Sequence, residues 1–125
     1  MNVEPMRDEG QRLPSPNGRV IGAVDTKAQL DESVSALRTA GFEKVEVLNG
    51  PDGIELMKRL RGVFFLGEDE ERVIEQNIAE LKQGHYIIAI HASSKGVKQA
   101  AEIAASHGVR SLTHFGMFVN TRLSK

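Results

Sequence analysis

The chain has no cysteine and no tryptophan, only one tyrosine among its 125 residues, and four prolines. Lack of cysteine excludes disulfides, thiolate metal sites and cysteine nucleophiles. No apolar run approaches the roughly 20 residues that a membrane-spanning helix needs. Neither sign of charge dominates: 16 Lys and Arg are interspersed with 17 Asp and Glu. That balance gives no basic footprint for nucleic acid and no polybasic patch for a membrane surface. The opening "MNVEPMRDEGQRLPSPNG" lacks the apolar core of a secretory leader. These absences predict a cytoplasmic protein that touches neither nucleic acid nor membrane.

What is present reads as one α/β domain. Residues 1–18 combine Pro5, Pro14, Pro16 and Gly18 with charges and little to bury, predicting a disordered tail. Residues 19–118 form the domain, with a helical insertion at about 52–83, and 119–125 read as a second tail. The first strand, Arg19 to Val24, runs into Thr26 and Gln29, which fit a capping box. Leu30, Val34 and Leu37 then mark one helical face, and Gly41 a left-handed stop onto which Phe42 folds back. "KVEVL" alternates as a half-exposed strand. Asp52 is placed to cap a helix through Arg61, and the acidic run 68–71 to open another that buries Ile74, Ile78 and Leu81 and stops at Gly84. "HYIIAIH" is a third strand. Ser93 or Ser94 is placed to cap a helix burying Val97, Ala101 and Ala104, Gly108 ends it, and a fourth strand follows.

The first and last parts of this pattern repeat. Displaced by 67 positions, "VIGAVDT" falls on "IIAIHAS", Thr26 on Ser93, Leu37 on Ala104 and Gly41 on Gly108 without a gap. A duplicated βαβ unit closes either as a ferredoxin-like antiparallel sheet with helices on one face or as a parallel, doubly wound sheet. Two half-wet outer strands favour the first, an α+β sandwich. Strands one and three are apolar on both faces, so the bare face of that sheet calls for cover by the inserted helices or by a second copy. A homodimer is therefore expected.

The order "VIGAVDTKAQLDESVSALRTAGF", "GEDEERVIEQNIAELKQGHYIIAIHAS", "AAEIAASHGV" resembles the small heat-induced and general-stress protein domains of bacteria, over about residues 19–116. Where that family carries a glycine-rich apolar insertion, this chain has only "GVFFLG". The resemblance implies a stress-associated protein of unknown biochemistry and brings no functional residues with it; the expected function is a non-enzymatic binding or interaction module.

Chemistry-bearing motifs are few. "IGAVDTKAQ" lacks both the dinucleotide-binding glycines and the Walker lysine, so Gly22 reads as a packing position. His85 and His91 lie about 20 Å apart along one strand and cannot share a metal. No carboxylate stands beside any histidine at ligand spacing, and no cofactor signature occurs. In the antiparallel arrangement one sheet edge gathers Asp25, Thr26, Lys27, Asn49, Asp52, His85, His107 and Arg110. From these, Asp25, Thr26, Lys27, His85, His107 and Arg110 are the candidate binding residues for a small anionic ligand. The alternative function is a small enzyme on the same edge, with His85 as acid or base. The parallel sheet would instead gather His91, Ser93 and Ser94.

Overall fold

A computed structural model describes residues 11–12, 18–63, 68–115 and 120–122. The elements run β1 (Arg19–Val24), α1 (Lys27–Thr39), β2 (Val45–Leu48), α2 (Gly50–Val63), α3 (Glu68–Lys82), β3 (Tyr86–His91), α4 (Val97–Ser106), β4 (Arg110–Phe115) and β5 (Asn120–Arg122). The strands form one sheet in the order β2-β3-β1-β4-β5, and every adjacent pair is antiparallel. The chain is therefore α+β, and the parallel, doubly wound alternative is excluded. Residues 120–122 of the expected tail pair with β4. Of the expected N-terminal tail, only Gln11, Arg12 and Gly18 lie among the described residues.

Alternation along the strands divides the core into two layers. Ile21, Ala23, Leu48, Ile87, Ala89 and Phe115 pack with Met57 and Leu60 of α2 and Ile74, Ile78 and Leu81 of α3. Val20, Val24, Val45, Ile88, Ile90 and Leu112 pack with Leu30 and Leu37 of α1 and Ala100 and Ala104 of α4. Helices thus cover both faces, not one. Of the two expected covers for the bare apolar face, the inserted helices or a second copy, it is the inserted pair α2–α3 that supplies it.

Helix ends explain where these elements turn. At α1, α3 and α4 a glycine with positive φ, Gly41, Gly84 or Gly108, follows the last turn. In each case two amides fold back: Phe42 donates to Leu37, His85 to Glu80 and Val109 to Ala104, while the glycines donate one residue further on. This is the Schellman arrangement, which usually sets an apolar pair across the turn. Leu37 with Phe42 and Ala104 with Val109 follow that habit. Glu80 with His85 replaces it with a polar pair.

Other local expectations need correction. The Thr26 hydroxyl caps α1 by accepting from Gln29 N at 3.1 Å, but the reciprocal half of the capping box is missing. Gln29 instead turns its side chain towards Gly108, where an added Cβ would stand 2.7 Å from its amide nitrogen. Neither Ser93 nor Ser94 caps α4, whose N-cap is Gly96 with no side-chain bond. Asp52 stands inside the first turn of α2, not ahead of it. Strand β2 is partly buried at Glu46 and Val47, and the Glu46 side chain, 12% exposed, pairs with Arg19 and His91.

The gapless repeat holds for the helix stops and fails in the first strands. Gly41 and Gly108 keep the displacement of 67. Yet Ile21 shares a face with Ile87, 66 positions on, and Val20 with Ile88, 68 positions on. An odd displacement would carry every strand side chain to the opposite face. The two halves therefore differ in register between strand and helix.

Candidate functional site

The polar cluster sits at the sheet edge where β1 ends and β3 and β4 begin. A bulge in β4 assembles it. Ile21 pairs with Thr113, but Ala23 pairs with Arg110, so β4 has one extra residue between these pairings. Ser111 takes the left-handed conformation there, with φ of 57°. In an unbroken ladder Arg110 would oppose Val24 and face α1 and α4. The extra residue flips it onto the face of Ala23, under α3. Opposite the bulge, an added Cβ on Gly22 would meet Val109 Cγ1 at 2.6 Å, Leu112 Cδ2 at 2.8 Å and the Arg110 carbonyl at 3.0 Å. Gly22 is the close-packing position that its isolation from any phosphate motif implied.

On the α3 face Arg110 meets Glu80. Its Nη1 donates to Glu80 Oε2 at 2.7 Å and its Nη2 to Oε1 at 2.8 Å, a fork-on-fork pair. Nη2 also donates to Asp25 Oδ1, just beyond the end of β1. His85, brought beside Glu80 by the turn at Gly84, places Nδ1 2.6 Å from Glu80 Oε1 and 3.5 Å from Asp25 Oδ1. Side-chain exposure is 20% for Glu80, 25% for His85, 37% for Arg110 and 48% for Asp25.

The electrostatics follow from the contacts. The Arg110 guanidinium, bonded to Glu80, holds that carboxyl down at about 2 against the opposing effect of burial, and the His85 bond adds to the lowering. Asp25 is likewise lowered by its bond to Arg110, and Arg110 is raised by both carboxylates, Glu80 first. Donor atoms of Asp25, Glu80 and His85 lie within 4.8 Å of one another, a spacing that suits a metal ion. The group standing among them is Arg110 Nη2, so a guanidinium supplies the cation the carboxylates face. Two carboxylates therefore accompany His85, which the spacing along the chain did not suggest.

Of the six candidates, Asp25, His85 and Arg110 converge. Thr26 is engaged as the α1 cap. Lys27 points its ammonium at Asp31, 3.2 Å away on the exposed side of α1. His107 caps α4, its Nδ1 3.9 Å from Glu32 and its carbonyl accepting from Ser33 Oγ at 3.5 Å. Asn49 and Asp52 lie at the start of α2, where Asn49 N donates to Gln11 Oε1. The residue that joins the cluster, Glu80, was missed because it lies next to Leu81 on a helix read only for its buried stripe. The available signal was the glycine stop itself: a Schellman turn at Gly84 makes positions 80 and 85 neighbours.

No family model, no curated protein and no solved structure matches this chain.

Proposed function

We propose that this chain is a ferredoxin-like domain that works by binding a partner or a small ligand at the Asp25–Glu80–His85–Arg110 edge, in a stress-associated cytoplasmic role. The ferredoxin-like reading is supported by the order β2-β3-β1-β4 with α1 and α4 together on one face. On that reading α2, α3 and β5 are additions to the basic unit. The stress association rests on the resemblance of the strand–helix–Gly-Phe order and the acidic helix to bacterial stress domains.

One observation carries the choice of ligand. Arg110, the cation expected to hold an anion, is bonded twice to Glu80 and once to Asp25. Two carboxylates against one guanidinium leave the edge with surplus negative charge, and Asp25 is the most exposed of the four side chains. The reading that best fits this count is a cationic ligand or the basic side chains of a partner, in place of the anion first expected. The partner, a second copy or another protein, meets the edge and not a sheet face, because helices occupy both faces.

Thermal shift with putrescine and with inorganic phosphate as probes tests this. Putrescine should raise the melting temperature of the wild type, and Asp25→Asn should abolish the rise. Stabilisation by phosphate that disappears in Arg110→Ala would instead restore the anionic ligand.

A further inference from the structure

We infer that His85 is a proton-exchanging group whose Nε2 is the atom presented to a bound molecule, which makes the edge a general acid–base site for a neutral or cationic substrate. The inference goes beyond the binding reading and does not rest on it, since its central claim is about the ligand-free protein.

The argument begins with the carboxylate. Glu80 is ionised, with both oxygens held by Arg110, so it can only accept hydrogen bonds. A contact of 2.6 Å between Glu80 Oε1 and His85 Nδ1 then requires the hydrogen to be on Nδ1. Arg110 Nη2, 3.4 Å from Nδ1, donates its two hydrogens to Glu80 Oε1 and Asp25 Oδ1 and has none left for Nδ1. Once Nδ1–H is committed to Glu80, the neutral ring has its lone pair on Nε2. Among the described residues, Nε2 makes no hydrogen bond, and a quarter of the side chain is exposed. A carboxylate that orients one nitrogen of an imidazole while the other meets the substrate is the arrangement that general-base histidines use. Proton transfer then moves a hydrogen from the substrate to Nε2, while Nδ1–H stays bonded to Glu80, and returns it in the reverse step. The surplus negative charge of Asp25 and Glu80 repels anionic substrates.

His91 provides an internal contrast. It also meets a carboxylate, but through the other nitrogen: Nε2 lies 3.1 Å from Glu46 Oε2. The two histidines should therefore hold opposite tautomers.

Two-bond nitrogen–proton NMR at alkaline pH, where imidazoles are neutral, reads the tautomers directly in the wild-type protein. The expected result is hydrogen on Nδ1 of His85 and on Nε2 of His91, with Glu80→Ala releasing His85 to the Nε2–H form common in free histidine. Diethyl pyrocarbonate gives a second readout. The unprotonated nitrogen attacks an anhydride carbonyl, the carbonyl–oxygen bond breaks, and monoethyl carbonate leaves and decomposes to carbon dioxide and ethanol. Modification at Nε2 of His85 should run several-fold faster than modification of His91, located by peptide mass spectrometry. Hydrogen on Nε2 of wild-type His85, or His85 modified no faster than His91, overturns the inference. Both wild-type measurements stand whether or not putrescine binds and whether or not Glu80→Ala folds.

Discussion

Glu80 is the residue on which the edge turns. It receives both arms of Arg110 and the Nδ1–H of His85, and it is four-fifths buried. Its carboxyl is depressed in the folded chain, from an ordinary 4.5 to about 2, so folding favours the ionised form. Stability from this group is complete above its unfolded value and is lost as pH falls from about 4.5 through about 2. The contribution is on the order of 3 kcal/mol. Glu80→Gln should cost a comparable amount at neutral pH and flatten the acid limb of an unfolding free energy against pH profile. A variant whose acid limb has the wild-type slope would assign that limb to other carboxylates. His114 shifts in the sense that burial alone dictates, downward, and so also loses stability on acidification.

At the scale of elements, glycines that look alike in the sequence do different things. Gly84 has φ of +88° and open space around an added Cβ, so its role is conformational. Gly22 has no such φ, but its Cβ would collide with Val109, Leu112 and the Arg110 carbonyl. Gly84→Ala should therefore cost about 1 kcal/mol, the ordinary penalty for a side chain in the left-handed region. Gly22→Ala should cost about 1–3 kcal/mol through overpacking at the β4 bulge. Urea unfolding of the two variants separates the cases: a Gly22→Ala variant as stable as the wild type would mean that β1 and β4 do not approach as described. The glycine stops were legible because a Schellman turn is a local device. The bulge was not, because it exists only where β4 is laid against β1, and Ser111 carries no glycine to announce it. Its consequence is the rotation of Arg110 onto the α3 face, without which Asp25, Glu80, His85 and Arg110 would not meet.

For the whole molecule the deciding fact is that the sheet is buried on both sides. Ile87 and Ile88 are adjacent in sequence and fully buried, one under α2–α3 and the other under α1–α4. Ile87→Ala and Ile88→Ala should each cost about 2–5 kcal/mol in chemical denaturation, the range for truncating a packed core side chain. A one-sided sheet would leave one of the two changes nearly silent, and that outcome would contradict the placement of the inserted helices.

The sequence by itself determined β1 to β4 and the four helices, their apolar stripes and three of the glycine stops, because these depend on periodicity and on chemistry within a few residues. It favoured the antiparallel sheet without excluding the parallel one, and the residues of β5 read as a tail. It also brought Asp25, His85 and Arg110 to one edge, since an antiparallel sheet must place the end of β1 beside the starts of β3 and β4. Tertiary structure alone decided which face α2 and α3 cover, the strand register that breaks the apparent 67-residue repeat, and the membership of Glu80. Each of these depends on a slip of one residue or on packing between distant segments. A one-residue slip reverses every side chain in a strand while leaving the local pattern of the sequence unchanged.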